Sequence, residues 1–144
     1  MPKLFFLLLF GFLTQVITSQ EIGLRFGDMS DNRIGIDGTI PLKTGRIHST
    51  LSFGDNVGFD ALYDFVIGSI FRSPDLQYYA GVGINTLFAS EFEIGVAGEV
   101  GIEYTFPRTP VCLGLDYRPS IILLEKMDFR WGNFGLNIRY VFSK

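Results

Sequence analysis

Residues 92–106, FEIGVAGEVGIEYTF, decide the fold of this 144-residue chain, because small or polar residues alternate with larger apolar ones along most of the stretch. A period of two places the two sets on opposite faces of a β-strand. The apolar face carries Phe92, Ile94, Val96, Val100, Ile102, Tyr104 and Phe106. The other face carries Glu93, Gly95, Ala97, Glu99, Gly101, Glu103 and Thr105. The stretch therefore predicts a long strand with one apolar and one polar face.

The same alternation recurs along the rest of the chain and predicts eight strands in all. Short connections rich in Gly, Pro and Asp separate the strands, which favours antiparallel hairpins between neighbours in the sequence. We therefore expect an all-β fold, an eight-stranded antiparallel up-and-down barrel. The other predicted strands are Glu21–Gly27, Arg33–Ile40, Arg46–Phe53, Phe59–Phe71, Leu76–Phe88, Val111–Ser120 and Phe134–Phe142.

The predicted strand over residues 59–71 fits the alternation least well, because three of its apolar residues share a face with Asp60 and Asp64. A β-bulge near Gly68, or an apolar patch inside the barrel, would accommodate them. The three residues are Leu62, Val66 and Ile70.

The connections between strands differ in length. The one over Ile121–Gly132, IILLEKMDFRWG, is the longest and lies on the side away from the chain termini. Its first residues, Ile121 to Leu124, could instead extend the preceding strand. We therefore expect short turns on the side of the termini and longer loops opposite. In this long connection Phe129, Arg130 and Trp131 form a candidate interaction surface, or the two rings anchor at a membrane interface. The short turns are Pro41–Gly45, Arg72–Asp75 and Pro107–Pro110.

The amino terminus, MPKLFFLLLFGFLTQVITSQ, has the composition of a secretory signal peptide: Lys3, then an apolar run to Leu13, then a more polar tail. It predicts a signal peptide over residues 1–19 and a barrel domain over residues 20–144. The single cysteine, Cys112, excludes an intramolecular disulfide. With 12 Lys and Arg against 15 Asp and Glu, the chain lacks the basic excess of a nucleic-acid-binding protein.

The placement of charge predicts which face of the barrel is dry. In the assigned register, no Asp, Glu, Lys or Arg of the barrel domain falls on the apolar face. Many glycines fall on the polar face, where a narrow lumen needs room beside large charged side chains. Aromatic residues gather near strand ends, as in the girdles of membrane barrels. These features favour a transmembrane barrel with its apolar face toward lipid; the alternative is a secreted soluble barrel that binds a small hydrophobic ligand.

Several segments resemble the small eight-stranded outer-membrane barrels of Gram-negative bacteria, the OmpA/OmpX-like and related uncharacterised barrel proteins. The resemblance implies location in the bacterial outer membrane, contact with outer-membrane lipids and insertion by the barrel-assembly machinery, which reads a terminal strand that ends in an aromatic residue. In this chain Phe142 is followed by two more residues. The segments are EIGLRFGD, GFDALYDF, YYAGVG, GIEYTFP and FGLNIRYVF.

The polar face predicts a network of paired charges inside the barrel, because an unpaired buried charge is strongly destabilising. A narrow pore is the alternative reading of the same residues. The predicted network consists of Arg25, Asp37, Arg46, His48, Asp64, Glu99, Glu103, Asp116, Arg118 and Arg139.

Catalysis has little support in the sequence. Lipid A deacylase barrels use a His with a Ser two residues later on the lipid-facing wall, whereas Thr50 stands two residues after His48, and both fall on the polar face. The chain offers no metal motif, and we expect neither a cofactor nor a metal. The leading hypothesis is a non-enzymatic, monomeric outer-membrane barrel with a structural, adhesive or envelope-related role. The alternative is a membrane-embedded lipid-modifying enzyme, a lipid A deacylase or acyltransferase.

Overall fold

The computed structural model describes residues 20–29, 32–124 and 127–142. The predicted signal peptide, residues 1–19, lies outside the described residues. Within the described residues, no helix is long and apolar enough to cross a membrane. The strands are β1 (Glu21–Met29), β2 (Asn32–Leu42), β3 (Gly45–Phe53), β4 (Val57–Ile70), β5 (Ser73–Phe88), β6 (Phe92–Thr105), β7 (Val111–Tyr117), β8 (Ser120–Ile122), β9 (Asp128–Arg130) and β10 (Phe134–Val141).

These elements form a closed antiparallel barrel with eight strand positions, as the sequence predicts. The hydrogen-bonded order runs β5-β4-β3-β2-β1-β10-β7-β6, and pairing between β5 and β6 closes the ring. The short strand β8 continues the line of β7 along β6, and β9 pairs with β8 beyond the start of β10. β7 with β8, and β9 with β10, therefore each occupy one of the eight positions.

Much of the predicted long loop over residues 121–132 is paired: the extension of the preceding strand occurs as the alternative predicts, and a return strand, which was not predicted, pairs with it. Its first part pairs with β6, and residues 128–130 pair back onto β8, so that much of it is a short hairpin. Apolar side chains at alternate positions, such as Ile121 and Leu123, allow strand pairing to continue past the interruption at Pro119. The carbonyl of Pro119 accepts a hydrogen bond from the backbone N–H of Gly98 at 2.9 Å, which carries the ladder across the interruption.

The described connections at the two ends of the barrel differ less in length than the sequence predicts. On the side of the termini, residues 43–44 and 71–72 make two-residue turns and residues 106–110 a five-residue connection, whereas residues 54–56 and 89–91 make three-residue connections on the other side. We call the end of the barrel that holds Glu21, Val141 and these two-residue turns the terminal rim, and the other end the opposite rim.

Strand β4 contains two irregularities where the sequence predicts one. Its register against β5 shifts between Asp64 and Val66 and again between Ser69 and Ile70, the second shift close to the predicted position at Gly68. The first shift turns Val66 outward, where it is 38% exposed, while Leu62 remains inside with 1% exposure. The structure therefore contains both predicted features, a β-bulge in β4 and an apolar side chain in the interior.

Candidate functional site: the charged barrel interior

The ten residues predicted for the interior network are all buried, none more than 7% exposed. They come from β1, β2, β3, β4, β6, β7 and β10, and Arg118 follows β7. Because inward and outward positions alternate along every strand, the sequence period alone directs them all into the lumen. The ten are Arg25, Asp37, Arg46, His48, Asp64, Glu99, Glu103, Asp116, Arg118 and Arg139.

Arg139 links three strands near the terminal rim. Its guanidinium lies 2.8 Å from Glu21, 3.1 Å from Asp37 and 2.6 Å from Glu103. Its partners across the ladder are Gly23 and Cys112, whose small side chains leave room for it. Arg139 therefore connects carboxylates from β1, β2 and β6 across the lumen.

Arg46 extends this cluster toward β4. It donates two hydrogen bonds to Glu103, at 2.8 and 3.0 Å, and one to Asp64 at 2.7 Å. Its guanidinium carbon also lies 4.5 Å from the centre of the Tyr79 ring. The paired N–H groups of an arginine match a carboxylate in this bidentate geometry, which gives strong charge-assisted hydrogen bonds.

His48 occupies the middle of the network. Its Nδ1 lies 2.6 Å from Glu99, and its Nε2 lies 3.0 Å from both oxygens of Asp37. Two carboxylates on opposite sides of the ring favour the imidazolium form, in which both nitrogens donate. The ring is fully buried, so no ring atom is left to meet a molecule from outside.

Arg118 joins the middle of the network to its other end. It pairs with Glu99, donates to Thr50 at 2.8 Å and lies 3.3 Å from Asp60. One of its nitrogens lies 3.8 Å from Asp116.

Arg25 and Asp116 form the part nearest the opposite rim. The guanidinium binds both oxygens of Asp116 and also reaches the carbonyl of Asp28. Asn137 donates to the same carboxylate at 2.7 Å. Gly135 leaves the space for Arg25, because a β-carbon at Gly135 would overlap the guanidinium.

Among the described residues, the interior from one rim to the other holds seven carboxylates, four arginines and His48. A barrel that excluded water and carried this many unpaired charges would be unstable, but each of these groups has an oppositely charged partner within 4 Å. The carboxylates are those of Glu21, Asp37, Asp60, Asp64, Glu99, Glu103 and Asp116.

Tyr79 is an interior residue that the sequence reasoning missed. It is 1% exposed, and its ring meets His48 edge to face at 5.9 Å. The sequence does indicate this position, because Tyr79 alternates with Gln77 and Gly81 and therefore shares their inward face. The adjacent Tyr78, a residue of the same type, makes the pattern hard to read. A β-carbon at Gly101 would overlap the Tyr79 ring, so this glycine makes the space that the ring fills.

Two groups of side chains have donor atoms close enough to share a metal ion: His48, Asp64 and Glu99, and Glu21, Glu103 and Cys112. In both groups the carboxylates already bind arginines. A metal ion there would have to displace a guanidinium or lie beside one, so the geometry favours an ion-pair network over a metal centre.

Near the opposite rim the interior contains a small polar cavity of about 10 Å³. This is room for about one water molecule. Unpaired oxygens of Asn85 and Ser120 line it beside Asp60 and Arg118, and a water would satisfy them.

The structure brings together two of the three residues of the predicted loop surface. The rings of Phe129 and Trp131 stack at 5.6 Å with planes 3° apart, and both are exposed. Arg130 points the other way and lies 2.8 Å from Glu93.

Fold and site together define a class: small closed eight-stranded antiparallel barrels with a charged interior. No protein-family model, curated protein or solved structure matches the chain.

Proposed function

We propose that this protein is an integral outer-membrane barrel whose apolar wall lies in lipid and whose lumen is filled by paired charges. Its role is structural, adhesive or envelope-related, without catalysis. The observation that carries the proposal is the inverted distribution of side chains: the charged residues are inside and the large apolar residues are outside.

The apolar composition of the outer wall favours a lipid environment. Between the rims, the described part of this wall carries apolar side chains such as Leu24, Ile36, Val82, Val100 and Ile138, each between 42% and 53% exposed. The charged strand residues between the rims face inward. An Arg or Lys turned toward lipid at mid-bilayer costs about 2–4 kcal/mol, so an uncharged wall is what a bilayer requires.

Aromatic pairs near both rims support the same proposal. Tyr104 packs against Phe106 at 5.0 Å, and Tyr140 against Phe142 at 5.1 Å, near the terminal rim. At the opposite rim Phe88 packs against Phe92 at 5.2 Å. Membrane barrels carry such girdles at the two interfaces.

The soluble-barrel alternative fits the interior poorly. A barrel that binds a hydrophobic ligand needs an apolar cavity, whereas the described interior is crowded with Arg, Asp and Glu. Its apolar wall would also face water, an exposed patch far larger than soluble monomers carry.

The lipid-modifying alternative needs a reactive group that a lipid can reach. His48 is fully buried, both of its ring nitrogens face carboxylates, and Thr50 donates to Asp37 at 2.6 Å. This geometry supports a structural role for both side chains.

Export by a signal peptide over residues 1–19, insertion by the barrel-assembly machinery, contact with outer-membrane lipids and a monomeric state all belong to this proposal. The barrel's last strand ends next to Phe142, an exposed aromatic residue of the kind that the assembly machinery reads in the barrels that the chain resembles.

Cell fractionation followed by a urea wash tests the proposal. We expect the protein in the washed outer-membrane fraction, with a gel mobility that changes on boiling as a closed barrel unfolds. Mature protein free in the periplasm or medium would refute the membrane location. Mass spectrometry of lipid A from wild-type and deletion strains tests the enzyme alternative: we expect identical profiles, and a changed acylation pattern restored by the gene would refute the non-enzymatic role.

A further inference from the structure

We propose that the terminal rim is a binding surface for anionic phospholipid headgroups, with Lys43, Arg72 and Arg108 as their cationic contacts. This inference rests on the proposed membrane location and adds which lipid the protein prefers and at which rim.

The first observation is the segregation of exposed charge between the two rims. Among the described residues, every exposed basic side chain except Arg33 lies at the terminal rim. The exposed acidic side chains lie at the opposite rim: Asp28, Asp55, Glu91 and Asp128. The terminal rim holds the half-buried Glu21 and Asp75. Lone cations near an anionic membrane surface are each worth about 1 kcal/mol, which converts to about a fivefold preference.

The three cations are distributed around the barrel and do not form one patch. Lys43 is in the turn between β2 and β3, Arg72 in the turn between β4 and β5, and Arg108 in the connection between β6 and β7. In an up-and-down barrel every second connection lies on the same rim, so these three connections are spread around the circumference. A ring of cations matches a headgroup layer that surrounds the barrel, whereas a globular partner would need them on one side.

The turn between β4 and β5 projects the side chains of Phe71 and Arg72 away from the barrel. Phe71 and Arg72 have φ angles of 53° and 57°, in the left-handed region. Hairpin turns of this kind usually use Asn and Gly, because bulky residues are strained there. Phe71 is 91% exposed, so the turn presents an apolar ring directly beside a guanidinium. That pair suits the boundary between acyl chains and phosphates.

The outward-facing tyrosines favour the same rim. Tyr63, Tyr78, Tyr104 and Tyr140 lie in its half of the barrel, and Tyr117 alone lies nearer the opposite rim. The corresponding rings at the opposite rim, such as Phe53 and Phe88, have no hydroxyl. The hydroxyl of Tyr63 already donates to the carbonyl of Thr44 at 2.6 Å. Tyrosine hydroxyls can donate to phosphate oxygens, so the other three add hydrogen-bond donors to the charge of this rim.

Quenching by brominated lipids tests the proposal, with the barrel reconstituted in phosphatidylcholine vesicles that contain phosphatidylglycerol. In Trp131→Phe protein the fluorescence comes from tyrosines, four of which lie near the terminal rim. In the unsubstituted protein Trp131 reports on the opposite rim. We expect tyrosine quenching to show about fivefold preference for phosphatidylglycerol, and Trp131 quenching to show none.

The variant Lys43→Gln/Arg72→Gln/Arg108→Gln should lose the tyrosine preference, whereas Arg33→Gln should keep it. About 0.5 M salt should remove it from the unsubstituted terminal rim without any substitution, because such contacts are screened. Equal quenching by both lipids, or a preference that survives the triple substitution, would refute the inference alone. No quenching by either lipid would refute the membrane location and the inference with it.

Discussion

Replacing Arg139 by methionine tests the interior network most directly. The substitution keeps most of the side-chain volume and removes the charge, so the effect reflects lost ion pairs more than a cavity. Arg139 is 1% exposed, and three carboxylates lie within 3.1 Å of its guanidinium.

The size of the loss in stability depends on which basic partners the three carboxylates retain once Arg139 is replaced. Glu103 retains Arg46, and Asp37 retains His48, but Glu21 has no other basic partner among the described ion pairs. Charge-assisted hydrogen bonds contribute about 1.5–3 kcal/mol each, and breaking a buried pair costs about 3–5 kcal/mol. Because two of the three carboxylates stay paired, we expect a loss near the lower end, about 3 kcal/mol in the free energy of unfolding.

Urea unfolding of the barrel in lipid vesicles, followed by the boiling-dependent gel shift, measures this loss. Arg33→Met, at an exposed position outside the terminal rim, is the matched control and should stay within about 0.5 kcal/mol of the unsubstituted protein. The double variant Arg139→Met/Glu21→Gln should recover part of the loss, since it removes the one carboxylate that loses its basic partner among the described ion pairs. A loss for Arg139→Met no larger than that of the control would refute the network account of this residue.

Three further outcomes follow from the same geometry. Gly101→Ala should destabilise the barrel by about 1–3 kcal/mol by overpacking Tyr79, while Gly98→Ala, whose β-carbon would meet its nearest atoms at 4.0 Å, should change the unfolding free energy little. Val82→Arg, in the middle of the outer wall, should cost about 2–4 kcal/mol in vesicles if lipid lies there, and no cost beyond that of the rim substitution Glu91→Arg would contradict a lipid-facing wall. In planar bilayers the unsubstituted barrel should show no steady conductance, and Arg118→Ser/Arg139→Ser should raise it; channels of equal size in both proteins would contradict a lumen closed by these two arginines.

The sequence predicts the architecture well because a two-residue period, short turns and the absence of charge on one face all depend on local information. It fails where the register changes within a strand. At β4 the outward turn of Val66 depends on how Phe65 bulges against β5, which no local pattern specifies. The sequence also does not predict the hairpin of β8 and β9. Its pairing with β6 depends on the carbonyl of Pro119, which continues the hydrogen-bond ladder across the break between β7 and β8.

The alternation of residues along each strand predicts which side chains face the lumen. It does not predict which of them form ion pairs with each other. Arg25 and Arg139 lie two positions apart on neighbouring strands in the ladder, yet they have no carboxylate in common. Side chains in a narrow barrel reach across it, so partners come from strands far apart in the sequence, as Arg25 and Asp116 do. Pairing therefore depends on barrel diameter and shear, which the local pattern does not contain.

The charged interior also has a reason beyond stability. Buried ion pairs often contribute no more than well-packed apolar side chains would, so stability alone does not explain seven interior carboxylates. A barrel with apolar residues on both faces would lose little if one strand slipped by a single residue. Here a one-residue slip of β6 would turn Glu99 and Glu103 outward, so that Arg46 and Arg118 would each lose one of their carboxylate partners. If the outer wall lies in lipid, as proposed, the apolar side chains lose little in such a slip, whereas a charge turned toward lipid at mid-bilayer costs about 2–4 kcal/mol for Arg or Lys and less for Asp or Glu. The interior charges would then discriminate between registers that the apolar side chains alone leave similar in free energy.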